Sequence, residues 1–305
     1  MASGLHISIS AEPIAHIGSL VISNSIFTSL IVSFIIISLA IAVKLQSKET
    51  NRPKGLQNVF EWIVESLENL VSSVTNNKQK TREFFPFVAT FFLFILFNNL
   101  LGLFPGVGSI GFLKNENGTT NAYLVPSQSK IESSKVQAAQ VTVDGETIKE
   151  IDKNTSNDKI DSKAETEHDP EFVPYLRSGT ADLNTTLALG IISIVLTQYF
   201  GLKYLGLSYL KKYFNFSNPI MFFVGILELV SEFAKIISFA FRLFGNLFAG
   251  EVLLAVIAFI GSNWLFFAPM PFYGMEIFVG FIQALVFAML SLVFFNMATQ
   301  GHDNH

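Results

Sequence analysis

The chain has 305 residues, half of them hydrophobic and 14% charged, with a formal net charge of -4. Soluble domains carry about 25% charged residues, so the composition excludes an ordinary soluble protein and points to a membrane one. The small negative charge gives no reason to expect a nucleic-acid partner. The lack of cysteine excludes disulfides, thiol nucleophiles and cysteine-ligated metals.

The predicted elements follow in chain order. Residues 1–19 contain no Lys or Arg, so they lack the basic start of a cleaved secretory leader and read as an external N-terminal segment. Residues 20–43 are apolar over the roughly 20 residues that a span needs, and Lys44, Lys48, Arg52 and Lys54 follow them as a signal anchor requires. Over 54–75, Leu56, Val59, Phe60, Ile63, Val64, Leu67, Leu70, Val71 and Val74 recur at helical spacing, with Glu61, Glu65 and Glu68 between them. That pattern predicts an amphipathic helix on the membrane surface. A second span covers 84–104 and a third 181–202, with the apolar run itself starting at residue 183.

Between those two spans, residues 113–180 are the least hydrophobic part of the chain, and acidic residues outnumber basic ones there. They read as a polar external loop, with a hairpin signal around Asp144-Gly145 within 140–148. Residues 219–260 form one apolar stretch of about 63 Å if helical, twice a bilayer core, so it must tilt steeply or fold back. A break over 261–274 containing Pro269 and Pro271 precedes a last helix over 274–299. The fold class is therefore an all-α polytopic membrane protein with about five membrane helices, one interfacial helix and a polar outer loop. Lys44 to Lys54, Lys78 to Arg82, and Lys203, Lys211 and Lys212 mark cytoplasmic connections, which put the N-terminus and the 113–180 loop outside.

Ionisable groups in membrane segments are costly and mark ion paths. The last third holds Glu228, Glu232, Lys235, Arg242, Glu251 and Glu276, with the polar Ser238, Asn246 and Gln283. Glu228, Lys235 and Arg242 recur every seventh residue and so share a helix face to within about 20° per step. Glu251 lies about 180° around and about 13.5 Å beyond Arg242. Glu276 and Gln283 share a face of the last helix. Glu232 and Lys235 are explained equally well as an i,i+3 pair or as part of a path. Arg242 has no acidic residue at i±3 or i±4, so its counter-charge must come from elsewhere. Arg stays charged and cannot relay a proton, whereas carboxylates can. A fixed cation with separated acids on either side suits two offset half-channels.

Phe241-Arg-Leu-Phe-Gly-Asn-Leu-Phe-Ala-Gly-Glu251 resembles the signature of subunit a of F-type ATP synthases. Asn99-Leu-Leu-Gly-Leu-Phe-Pro105 is similar to the end of that family's second span. Thr180-Ala-Asp-Leu-Asn-Thr-Thr-Leu-Ala-Leu189 is similar to the start of its third. Glu228 and Ser238 stand at the family's distances before the arginine, and Gln283-Ala-Leu-Val-Phe falls in the last helix as expected. The resemblance covers about 20–112 and 172–300.

It implies a stator subunit conducting protons, or Na+ in a variant of the same machine, to and from the carboxylates of a rotating c-subunit ring. Arg242 would face that carboxylate, Asn246 would line the same interface, and Gln283 would pack beside Arg242. Glu251 and Glu276, with Asp182 nearby, would serve the outer half-channel; Glu228 and Ser238 would serve the cytoplasmic one. Implied partners are the c-ring, the peripheral-stalk b subunits, the remaining synthase subunits and the lipid bilayer, in a bacterial plasma (inner) membrane. Bacterial members often have His where Glu276 stands. An unrelated secondary transporter would predict inverted repeats in two matching halves, and the sequence carries none. No phosphate-binding glycine loop is present, so nucleotide chemistry falls to partner subunits; no cofactor or metal is expected and the chain is not an enzyme on its own.

Overall fold

The computed structural model describes residues 11–17, 20–46, 56–104, 107, 110–114, 120–124, 171–213, 219–261, 267 and 269–300. Among them are six α-helices: α1 (Asn24–Gln46), α2 (Leu56–Thr75), α3 (Lys78–Leu103), α4 (Leu183–Leu205), α5 (Pro219–Gly261) and α6 (Pro269–Ala298). All except α2 are long and apolar enough to cross a membrane. The protein is an all-α polytopic membrane protein.

Short strands lie outside the spans. β1 (Pro13–Ile17) and β2 (Leu20–Ser23) pair antiparallel just before α1. β3 (Ile110–Lys114) is flanked by β4 (Thr120–Leu124) and β5 (Glu171–Pro174), both antiparallel to it. The expected external loop over 113–180 thus contributes edge strands to a small sheet. The hairpin expected over 140–148 lies outside the described residues.

The core is aromatic and lies between α3, α4 and α6. Phe84, Phe200 and Phe295 meet edge-on or tilted with centroids 4.7 to 5.8 Å apart, and Phe91 and Phe239 close on Phe287. Such offset geometries are the favoured ones for aromatic rings. α2 sinks Leu67 and Val71 into this core and leaves Trp62 and Val64 exposed, the two-faced behaviour of an interfacial helix. α3 begins six residues before the apolar run because Asn77 caps it, its side chain accepting from the Gln79 and Lys80 N–H groups.

α5 is one unbroken helix of 43 residues, so the long apolar stretch does not fold back on itself. The break expected over 261–274 is shorter than that, because α6 starts at Pro269. Pro269 and Pro271 fall in its first turn, where no intrahelical partner is lost for want of an N–H.

The two ends of the bundle are chemically distinct. Near the strands lie the starts of α1, α4 and α6 and the ends of α3 and α5; this is the sheet end. The opposite end carries Lys44, Lys78, Lys80, Arg82, Lys203 and Lys212. There Lys80 Nζ reaches the Thr299 hydroxyl, 2.9 Å away, just past α6.

Candidate functional site

Five charges lie on α5, and four of them have partners within the chain. Glu228 pairs with Lys212 at 2.6 Å. Glu232 pairs with Lys235 at 2.8 Å, the i,i+3 pairing that the spacing allows. Glu251 pairs with Arg177 at 3.2 Å. Arg242 is exposed and has no ion pair among the described residues. Its flanking Leu243 and Leu247 are buried toward the core, while Phe244 stacks on Phe248 with centroids 5.3 Å apart.

The uncovered face around Arg242 is lined by small or polar residues: Ser231, Ala234, Ser238, Gly245, Asn246 and Ala249. A Cβ added at Gly245 would meet nothing within 4 Å, so the surface there is open. Small residues let another helix's backbone approach closely within a bilayer. One turn beyond Arg242, Asn246 Nδ2 donates to Gln283 Oε1 at 2.7 Å, tying α5 to α6. Gln283 therefore sits beside Asn246 on the arginine's flank, and its buried Nε2 has no partner among the described residues.

At the sheet end, Glu276 is buried on α6, and a Cβ at Gly250 would collide with its carboxylate. The glycine is what lets that carboxyl lie against α5. Asp182 caps α4 by accepting from the Asn184 N–H and takes a second hydrogen bond from Ser25 Oγ at 2.8 Å. Asn99 spans two elements, donating to the Gly280 carbonyl at 2.9 Å and accepting from Thr180 Oγ1 at 2.6 Å. Glu251, Glu276 and Asp182 thus lie at one end of the bundle.

At the opposite end, Glu232 is more buried than Glu228, and its Oε2 is unpartnered among the described residues. Tyr213 bridges Gln198 Oε1 at 3.2 Å and Glu232 Oε1 at 3.5 Å. Burial holds the Tyr213 hydroxyl well above the usual phenol range, so it stays a proton donor.

Residues 26–296 fit the family model described as ATP synthase A chain. The chain belongs to the ATP synthase A chain family. It is similar to ATP synthase subunit a of Syntrophobacter fumaroxidans, 28% identical over 246 residues, 80% of this chain and 71% of that one. It is 27% identical to subunit a of Lysinibacillus sphaericus over 300 residues, 96% and 98% of the two chains. Against subunit a of Gloeobacter violaceus it is 29% identical over 253 residues, 83% and 75%.

Two partners in this family member escape a reading of the sequence. Lys212 reaches Glu228 from the connection after α4, and Arg177 reaches Glu251 from the end of the 113–180 stretch. For Lys212 the only signal was its place just ahead of α5. Arg177 falls inside the stretch read as a polar loop remote from the charged cluster, and no periodicity links it to Glu251.

Proposed function

We propose that this chain is the stator subunit through which an F-type ATP synthase moves protons between two offset half-channels and the carboxylates of a rotating c-subunit ring. The observation that carries this is the isolation of Arg242: every other charge on α5 has an ion-pair partner among the described residues, and this one has none there. A lone cation in an apolar spanning helix costs several kcal/mol by most estimates, so an anion must be supplied from outside. The open, small-residue surface around it lets a partner helix bring one. Ser238 lies one turn before Arg242 on that surface, toward the opposite end.

The acids lie on either side. By helical rise Glu228 is about 21 Å from Arg242 toward the opposite end, and Glu251 about 13.5 Å toward the sheet end. The basic residues gathered at the opposite end support a reading in which it faces the cytoplasm and the sheet lies outside a bacterial plasma membrane. A ring carboxylate arriving protonated gives its proton to one channel, pairs with Arg242 as an anion, and is reprotonated from the other. Glu251 and Glu276, with Asp182 behind them, serve the outer path; Glu228 serves the inner. Arg242 remains charged throughout and blocks direct passage between the two. The c-ring, the b subunits and the nucleotide-handling subunits complete the machine.

The test is ATP-driven gradient formation in membrane vesicles carrying the assembled complex. Arg242→Ala should abolish it. Arg242→Lys should be nearly as damaging, because it loses the planar fork and a desolvated Lys can lose its charge. A gradient collapsed by a protonophore and indifferent to Na+ identifies the ion as H+. Near-normal coupled pumping with Arg242→Ala overturns the reading.

A further inference from the structure

We propose that Arg177 is a positioning residue of the outer path: it fixes the Glu251 carboxylate at the mouth, on a strap that the external sheet delivers. The inference rests on the reading of Glu251 given above. Arg177 Nε and Nη2 both donate to Glu251 Oε2, at 3.3 and 3.2 Å. The arginine side chain is 8% exposed and the glutamate 45%, so the cation is the anchored member and the carboxylate the one at the surface.

The strap runs from β5 to α4, and neutral hydrogen bonds hold it on both sides of Arg177. Before it, Asn24 Nδ2 donates to the Pro174 carbonyl at 3.4 Å. At it, the Arg177 N–H donates to Thr28 Oγ1 at 3.2 Å. After it, Ser178 Oγ donates to the Asn98 carbonyl at 3.2 Å, and Thr180 Oγ1 to Asn99 Oδ1 at 2.6 Å. A Cβ at Gly179 would displace the side-chain ends of Ser29 and Asn98, so the chain passes close against α1 and α3 there. The backbone at Arg177 is therefore set by α1 and α3, independently of its charge.

That independence is the reason to assign the side chain a role. Burying a cation is expensive and adds little net stability even when it is paired. The strap needs no ion pair to stay in place. A fixed guanidinium aimed at a half-exposed carboxylate removes rotamer freedom from a group of the outer path.

Membrane vesicles with the assembled complex give the test, with pumping normalised to the amount of complex. Arg177→Ala should slow ATP-driven gradient formation severalfold, and Arg177→Lys should recover part of the loss. Glu251→Gln should slow it comparably, and Arg177→Ala added to Glu251→Gln should cost little more. A normal rate for Arg177→Ala, or fully additive losses, overturns the proposal. Should Arg177→Ala fail to assemble, Arg177→Gln and Arg177→Lys decide: a faster Lys variant supports the role, and equal rates overturn it. Arg242→Ala runs alongside. If it pumps normally, the ion-path reading itself has failed; if it is inactive while the Arg177 variants are normal, only this inference has.

Discussion

The two ends of α5 hold their acids in different ways. At the opposite end the partners are close in sequence: Lys235 three residues from Glu232, Tyr213 nineteen from it. At the sheet end the partner comes from far away: Arg177 is 74 residues from Glu251. The first arrangement exists as soon as one helix and its preceding turn form. The second exists only when α5 meets the strap that α1 and α3 hold. A local cluster tolerates shifts between helices, whereas a distributed one reports them.

The contrast can be broken at several points. Gly250→Val should have the largest effect, because its side chain would occupy the space of the Glu276 carboxylate. Pumping in vesicles should fall by an order of magnitude or more, and normal pumping would show that Glu276 needs no fixed position. At the opposite end, Lys235→Met leaves the buried Glu232 unpaired and should cost about 3–5 kcal/mol of stability. The double variant Lys235→Met with Glu232→Met should recover most of that, as measured by thermal unfolding in detergent. A double variant as unstable as the single would mean the pair is more than a local compensation. Lys212→Ala should do least. Its ion pair with Glu228 is about a third exposed on both sides, so the loss should stay within about 1 kcal/mol in the same assay.

The same contrast explains what could be read in the sequence. Continuous apolar runs announce the five spans, and the helical spacing of Leu67, Val71 and Val74 announces α2, because both signals are local. Glu232 and Lys235 could be paired from their spacing alone. The start of α6 was misplaced because proline marks a break inside a helix but is harmless in its first turn, and Pro269 and Pro271 are in the first turn. The β3–β5 pairing joins strands separated by a long polar stretch, with too few residues each to show a period. Arg177 and Glu251 meet only through tertiary packing, and no rule of spacing reaches across 74 residues.

The anchoring of α1 sets an order of events during synthesis. Its first turns are held by Pro174, Arg177 and Asp182. Ser25 leaves the ribosome 157 residues ahead of Asp182, roughly eight to thirty seconds at about 5–20 residues per second. For that interval α1 sits in the bilayer with the hydrogen-bonding groups of Asn24, Ser25 and Thr28 still lacking their distant partners. Only when the strap and the head of α4 have reached the sheet end can those groups close. α1, made ahead of the strap, is thus among the last helices to be fixed in place, and its docking reports that the sheet end of the bundle has formed.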